Sequence, residues 1–288
     1  MKLFPSLVAA SLLSTGAQSF EPNLGPDLHR VTVRCGEITL LLRQESQWTP
    51  GRFDFQGKPM TTEKSAYGTV FSFPGIGFIG SGHLENEPEK LLTLMFSING
   101  KPVDPSSELV GETFRFERHS NIRGLEVENV IEVRNDRIYE TARVQSKGEL
   151  PLKLVYHFMH AWVPSASAFL ALDSESGQVL SGELTDEKET HRRFYLRRSV
   201  DWVAIYDPMS RQFAVSLLIE SPPKRKTTSK IWNVSGTYRK YYLESFLNDT
   251  IPADFDGTWK MVTGFGEADE ERWEEPAKEL ANSLLSSP

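Results

Sequence analysis

The chain has 288 residues, a formal net charge of −7 and a single cysteine, Cys35. Its acidic balance argues against a nucleic-acid partner, because nucleic acids are polyanions. One cysteine excludes an intrachain disulfide. A chain of about 300 residues buries roughly three quarters of its unfolded surface, so its core alone can hold the fold together.

Residues 1–19 have the pattern of a secretory signal peptide. Lys2 supplies the positive charge, an apolar run follows, and the small residues Ala17 and Ser19 fit the cleavage rule. The apolar run is shorter than the roughly 20 residues that a membrane span needs. We therefore expect cleavage before Phe20, no membrane span, and a mature protein that is secreted or periplasmic.

The first half of the mature chain alternates apolar and polar residues, which is typical of β-strands with one buried face. Three segments, at 29–43, 91–103 and 125–146, combine this alternation with a central turn signal. Asn-Gly is the strongest short hairpin signal in a sequence. The pattern predicts three β-hairpins, with turns at Gly36, Asn99-Gly100 and Asn135-Asp136.

The second half continues in the same way. Further alternating segments begin at residue 152: LKLVYHFMHAW, AFLALD, RFYLRR, WVAIYDP, QFAVSLLIES, RKYYLESF and TWKMVTGFG. Only the tail, EADEERWEEPAKELANSLLSS, has helical character. Many short strands without intervening helices exclude the βαβ classes. We predict an all-β protein in which residues 20–288 form a single domain, a large antiparallel β-sandwich with a short C-terminal helix.

The segment LKLVYHFMHAW places two histidines three residues apart in an apolar run. In a regular strand successive side chains point to opposite faces. His157 and His160 should therefore face opposite sides, with Tyr156 and Trp162 on the side of His160. Either His160 is a core residue with a polar partner, or its face lines a pocket. We expect His160 at the base of a pocket and His157 in the sheet interior.

Other segments contribute polar residues beside aromatic ones. The familiar nucleophile, phosphate-loop, dinucleotide and zinc-protease motifs are absent from the sequence. His83 and Glu85 are two ligand types without a third, so we predict no metal and no cofactor. The segment TYRKYYLESF should place three side chains on one strand face, a pattern that is also typical of a core or a rim: Tyr238, Lys240 and Tyr242.

The order of four segments resembles the galactose mutarotase-like superfamily, which includes aldose epimerases and polysaccharide lyases. VYHFMHAW is similar to the strand that carries the catalytic histidine before an aromatic residue, and WKMVTGFGEA to the strand that delivers a glutamate. GRFDF looks like the family's arginine segment, and GSGH like its upstream histidine. The resemblance extends over residues 28–275 and implies a β-supersandwich. The usual Asn-His-x-Tyr-Phe reads Met-His-Ala-Trp here.

The resemblance implies a secreted carbohydrate-active protein with aldose 1-epimerase-like chemistry on a sugar ring. Such chemistry needs a base for the anomeric proton and an acid for the ring oxygen. By resemblance, Glu267 is the base and His160 the acid, while His83 and Arg52 hold hydroxyls or stabilise charge. The remaining predicted sugar contacts are Trp162, Tyr238, Lys240 and Tyr242.

Two alternatives remain open. A polysaccharide lyase acting by β-elimination on a uronic-acid-containing glycan needs a cation at the carboxylate and a base at C5. The candidates are Arg52, Arg239 or Lys240 for the cation, and His160 with Tyr238 or Tyr242 for the base. A noncatalytic carbohydrate-binding module is expected if His160 is present but Glu267 points to solvent.

Overall fold

The structure, a computed structural model, describes residues 27–64, 67–83, 85–186, 194–223 and 226–286. The predicted signal peptide, residues 1–19, lies outside these ranges. Within them, no helix combines the length and the apolar composition that crossing a lipid bilayer requires.

The described chain consists mainly of strands. Its first half contains β1 (Arg30–Cys35), β2 (Ile38–Arg43), a 3₁₀ turn (Gln44–Ser46), β3 (Pro50–Phe55), β4 (Lys58–Pro59), β5 (Tyr67–Phe73), β6 (Gly77–Gly80), β7 (Lys90–Ile98), β8 (Lys101–Pro102), β9 (Glu108–Gly111), β10 (Phe114–Ile122), β11 (Leu125–Arg134) and β12 (Arg137–Ser146).

The second half contains the remaining strands and one helix: β13 (Leu150–Leu152), β14 (Leu154–Trp162), β15 (Ala168–Asp173), β16 (Val179–Glu183), β17 (Leu196–Arg198), β18 (Val200–Asp207), β19 (Gln212–Glu220), β20 (Thr228–Val234), β21 (Tyr238–Ser245), β22 (Asp249–Ile251), β23 (Asp256–Glu267) and α1 (Glu274–Leu285).

The strands form three larger sheets and one small one. The ten-stranded sheet has the order β16-β15-β18-β19-β23-β12-β11-β10-β7-β8, and the six-stranded sheet has the order β17-β20-β21-β14-β5-β6. A five-stranded sheet has the order β4-β3-β2-β1-β9, and β13 pairs with β22. Only the β1–β9 pair of the described ladders is parallel. The predicted antiparallel all-β architecture is confirmed.

The ten-stranded and six-stranded sheets face each other across the core. Asn129 on β11 donates a hydrogen bond to Thr69 on β5 at 3.1 Å, and the His157 ring on β14 stacks on Trp259 of β23 with centroids 4.1 Å apart. Along β10 and β12, buried and partly exposed residues alternate without exception. Each of these two sheets thus has an inner face toward the other sheet and an outer face away from it.

The local turn chemistry agrees with the sequence-based prediction. Asn99 and Gly100 both have positive φ, as do Asn135 and Asp136. This is the type I′ geometry that matches the right-handed twist of a hairpin. Both dipeptides therefore join the strands they were predicted to join, β7 to β8 and β11 to β12.

Helix α1 covers part of the outer face of the ten-stranded sheet. Its buried side chains, Ala277, Ala281 and Leu284, pack against Val262 and its neighbours on β18, β19 and β23. Gly264 of β23 has no side chain, and a Cβ there would lie 3.3 Å from Leu280 and Leu284. This glycine lets the helix approach the sheet closely.

Candidate functional site

The prediction that His157 and His160 face opposite sides is wrong, because β14 contains a β-bulge. In the ladder with β21, His157 pairs with Leu243 and His160 with Tyr241, so two residues of β14 lie between positions that are separated by one residue on β21. Phe158 takes up the extra residue with a φ of 52°. A bulge of this kind shifts the alternation by one. Both histidines therefore point to the inner face.

His157 occupies a polar niche within the core. Its Nδ1 hydrogen-bonds with Thr69 Oγ1 at 3.3 Å and its Nε2 with Ser245 Oγ at 3.2 Å. The side chain has no solvent exposure. Burial lowers the pKa of His157 from 6.5 to about 3, so the imidazole is neutral across the physiological range. The expected position of His157 in the sheet interior is confirmed.

His160 is also buried, contrary to the expectation that it lies at the base of a pocket. It is 2% exposed, and its Nε2 lies 2.8 Å from Oε2 of Glu140 on the opposite sheet. The rings of Phe53 and Trp162 meet it edge-on at 5.1 and 5.4 Å. Trp162 itself is 1% exposed. His160 and Glu140 thus form a polar pair that aromatic side chains enclose. Among the described residues, the rings around this pair are buried and do not offer a face to a sugar.

Glu267 lies at the end of β23, apart from His160. Its carboxylate accepts hydrogen bonds from Lys58 Nζ at 3.0 Å and Gln212 Nε2 at 3.2 Å, and these bonds lower the pKa of Glu267. It lines an open pocket of about 480 Å³. Glu267 lies six positions along β23 from Met261, the register partner of Glu140, which is roughly 20 Å of extended strand. The structure does not bring Glu267 and His160 together.

Arg52 is likewise held elsewhere. Its guanidinium donates to Asp54 at 3.0 Å and to Glu63 at 3.3 Å on the five-stranded sheet. The pair with Glu63 joins β3 to the segment after β4. The catalytic and binding roles that the resemblance implies for His160, Glu267, Trp162 and Arg52 stay predictions, and the described contacts give each of these residues a partner within the fold.

The outer face of the six-stranded sheet presents a different arrangement. As predicted, Tyr238, Lys240 and Tyr242 of β21 share one face. Aromatic residues from three other strands join them there. We call the following six residues the aromatic–lysine cluster: Phe78 of β6, Tyr156 of β14, Trp232 of β20, and Tyr238, Lys240 and Tyr242 of β21.

Lys240 is the centre of this cluster. Its Nζ lies 5.1 Å from the Trp232 ring, 5.2 Å from Tyr156 and 5.5 Å from Tyr242. Ammonium groups within about 6 Å of aromatic faces are attracted to them. Burial among these rings lowers the pKa of Lys240 to about 8, against the opposing charge of Glu85. At neutral pH the ammonium is therefore mostly protonated, yet it can lose its proton just above neutrality.

His83 adjoins the cluster through Phe78, whose ring centroid is 5.7 Å away. Its Nε2 lies 3.6 Å from the Glu85 carboxylate. Burial lowers the pKa of His83, Glu85 acts to raise it, and Lys240 lowers it further. His83, Glu85 and Lys240 therefore form one electrostatic group. The structure brings His83 together with Tyr238, Lys240 and Tyr242 from among the predicted site residues.

The loop that carries His83 is fixed from the inside of the sandwich. Gly82 donates its N–H to Glu89 at 3.0 Å, and Glu89 is ion-paired at 2.6 Å with the buried Arg118 of β10. Ser81 donates to Asn129 at 2.8 Å. A Cβ on Gly82 would lie 2.8 Å from a backbone oxygen, so this tight passage requires glycine.

Sequence reasoning did not assign Phe78, Trp232 or Tyr156 to a site. Regular alternation predicts Tyr156 on the face of His160, and the bulge at Phe158 puts the two side chains on opposite faces. Trp232 does alternate in step with Lys230, which is the one local signal that could have placed it. Phe78 has no such signal, because the antiparallel pairing of β5 with β6 brings it beside Tyr156.

One group of metal-ligand types lies on the outer face of the ten-stranded sheet. Glu117, His119 and Glu128 have ligand atoms within 4.8 Å of one another, and His119 faces Glu128 directly in the β10–β11 register. Glu117 also accepts a hydrogen bond from Arg115 at 2.7 Å. This group is on the opposite side of the molecule from the aromatic–lysine cluster.

No model of a known protein family matches the sequence, and no curated protein sequence matches it. Solved structures do match in fold. The Slr1438 protein from Synechocystis sp. PCC 6803 has a TM-score of 0.51 at 12% identity, over 87% of this chain and 99% of that one. The alpha-galactosidase from Lactobacillus brevis has a TM-score of 0.51 at 9% identity, over 83% of this chain and 40% of that one.

A putative aldose 1-epimerase from Escherichia coli K12 gives a TM-score of 0.48 at 11% identity, over 83% of this chain and 99% of that one. The predicted large antiparallel β-sandwich agrees with the sheets of this structure and with the fold matches to the Slr1438 protein and the alpha-galactosidase. Sequence identities this low show the fold alone.

Proposed function

We propose that the chain is a carbohydrate-active protein whose sugar site is the aromatic–lysine cluster together with His83. The observation that carries this proposal is the convergence of His83 and Lys240 on one aromatic face. Aromatic rings stack on the apolar C–H faces of pyranoses. A lysine and a histidine beside such a surface supply the charge and the proton transfer that chemistry on a sugar needs.

The two polar groups differ in protonation at neutral pH. The lowered pKa of His83 keeps its imidazole unprotonated and able to accept a proton, whereas Lys240, with a pKa of about 8, is mostly an ammonium. In an epimerase-type reaction His83 would take the anomeric proton and Lys240 would protonate the ring oxygen. The acid–base chemistry is that predicted from the sequence, with the two roles on different residues.

The same pair also suits β-elimination from a uronate, which is the second candidate function. Lys240 would lie against the carboxylate and make the C5 proton more acidic, and His83 would accept that proton. The sequence also indicates Lys240 as a candidate cation for this role. The observation that favours it is that Lys240 has no carboxylate within ion-pair distance among the described residues.

The test combines binding with two turnover assays. Wild-type protein, Lys240→Gln and His83→Gln are titrated with sugars, then assayed for polarimetric mutarotation of hexoses and for absorbance of unsaturated uronates. We expect Lys240→Gln to weaken sugar binding about tenfold or more, as loss of a charge-assisted contact does. His83→Gln should leave binding largely intact and abolish whichever turnover the wild type shows.

A matched control is Lys260→Gln on the ten-stranded sheet, which removes an exposed lysine of β23 that pairs with Glu220 of the neighbouring strand β19. It should behave as the wild type does. Circular dichroism shows whether each variant is folded. Binding without either turnover supports a noncatalytic carbohydrate-binding module. Sugar binding that is unchanged in folded Lys240→Gln protein contradicts the proposed site.

We further propose that the protein is exported, which the signal-peptide pattern of residues 1–19 supports. When the full chain is expressed in a bacterium with an outer membrane, the protein should be recovered from the periplasm or the medium. Mass spectrometry should then find Phe20 as its first residue. Cytoplasmic protein that retains Lys2 contradicts this proposal.

A further inference from the structure

The outer face of the six-stranded sheet continues beyond the aromatic–lysine cluster. Lys230 of β20 is the register partner of Tyr242, and Arg197 of β17 is the register partner of Lys230. Cross-strand partners point to the same side of a sheet. Arg197, Lys230, Tyr242 and Lys240 therefore share one surface, which ends at the edge strand β17.

This continuation opens into a pocket of about 730 Å³. Its lining includes three cations, Arg197, Arg198 and Lys226, and four carboxylates, Asp173, Glu175, Glu244 and Asp249. Glu244 is 3% exposed and forms an ion pair with the equally buried Lys230. The Lys230 ammonium lies 4.8 Å from the Phe194 ring and 6.0 Å from the Tyr242 ring. Lys230 and Tyr242 thus join the pocket to the cluster without a break.

Most charges of the pocket are already neutralised. Arg198 pairs with Asp173 at 2.9 Å, and Lys226 pairs with Glu175 at 3.6 Å. Arg197 differs from them. Its guanidinium lies over the Phe194 ring at 5.4 Å, and no carboxylate of the described part of the chain lies within ion-pair distance of it. At the other end of the surface, Lys240 likewise has no carboxylate of the described residues within ion-pair distance.

The spacing of these two cations sets the size of a ligand that could use both. Arg197 and Lys240 are two strands apart across the sheet and two residues apart along it. With strands separated by about 4.8 Å and residues by about 3.3 Å, their Cα atoms are about 12 Å apart. A single pyranose ring is too small to place acidic groups at both positions.

We propose that the ligand of this face is an acidic oligosaccharide, with one acidic group bound at Lys240 and another at Arg197. This rests on the proposed function, because the sugar rings between the two groups would lie on Trp232 and Tyr242, the part of the aromatic–lysine cluster on the Arg197 side. Arg197 is then a specificity-determining residue. It selects for the length and the repeated charge of the ligand, and its planar guanidinium can bind a carboxylate or a sulfate bidentately.

The experiment is a calorimetric titration of wild-type protein, Arg197→Gln and Lys240→Gln. The probes are galacturonic acid, tetragalacturonate, a sulfated heparin tetrasaccharide and neutral maltotetraose. Wild-type protein should bind an acidic tetramer at least tenfold more tightly than galacturonic acid and maltotetraose. Arg197→Gln should lose roughly tenfold for that tetramer and nothing for galacturonic acid. Lys240→Gln should weaken both acidic uronate probes.

The control is Arg272→Gln, which removes an arginine with 79% side-chain exposure near the start of α1. It should bind every probe as the wild type does. Arg197-dependent binding of only the galacturonate or only the heparin tetramer supports the proposal and identifies the acidic group as carboxylate or sulfate. Equal binding of acidic and neutral tetramers, or no effect of folded Arg197→Gln, overturns it while the proposed carbohydrate site stands. Absence of binding to all four probes overturns both.

Discussion

At the scale of single residues, the buried pair of His160 and Glu140 contributes to the stability of the fold. Both side chains are almost without solvent contact and lie 2.8 Å apart. Replacing His160 by asparagine should leave the Glu140 carboxylate buried without its partner, which costs roughly 3 kcal/mol. We expect urea unfolding to show this loss, while sugar affinity of the folded variant stays that of the wild type. The double variant Glu140→Gln/His160→Asn should recover part of the stability. Lost turnover with unchanged stability would instead support the catalytic role implied by the resemblance.

Lys240 gives the second prediction at this scale. Its pKa of about 8 means that the ammonium is lost as the pH rises through that value. Binding of an acidic sugar should therefore weaken between pH 7 and pH 9, and calorimetry across this range measures it. Lys240→Arg, whose guanidinium stays protonated, should bind with little pH dependence in the same window. A wild-type affinity that is constant to pH 9 contradicts the assignment of Lys240 as the binding cation.

At the scale of elements, the loop between β6 and β7 depends on a buried ion pair. Arg118 and Glu89 have side-chain exposures of 1% and 0%, and Glu89 also accepts the Gly82 N–H next to His83. Arg118→Met should destabilise the protein by about 3–5 kcal/mol, because it leaves a buried carboxylate unpaired. Hydrogen exchange at the Gly82 amide should become faster than the global loss alone explains. The double variant Arg118→Met/Glu89→Gln should restore much of the stability. If the Gly82 amide retains its protection relative to global unfolding in Arg118→Met, the pair does not anchor the loop.

At the scale of the whole molecule, His157 makes the fold sensitive to acid. Its pKa is about 3 when folded and about 6.5 when unfolded. Between these values the unfolded chain binds more protons than the folded chain. The contribution of His157 to the free energy of unfolding is therefore fully present above about pH 6.5 and decreases as the pH falls toward 3. This group alone should cost about 1.4 kcal/mol per pH unit over that window. Urea unfolding at pH 7, 6, 5 and 4 measures the slope. His157→Gln should be less stable at pH 7 but lose less on acidification, and an equal slope in both proteins would show that other groups are responsible.

The sequence by itself determined the strands, the type I′ turns at Asn99-Gly100 and Asn135-Asp136, the C-terminal helix, and the shared face of Tyr238, Lys240 and Tyr242. Each depends on side-chain alternation or turn geometry within a few neighbouring residues, and such preferences act before distant segments meet. Only the tertiary structure decided the surroundings of the histidines. The bulge at Phe158 exists in the pairing of β14 with β21, and the partner of His160 is on the opposite sheet. Likewise, Phe78 and Tyr156 lie on the face of Lys240 because β6 and β14, which are far from β21 in sequence, belong to the same sheet. Pairing partners and register are set by how all the strands bury their apolar faces together, and no short stretch of sequence contains that information.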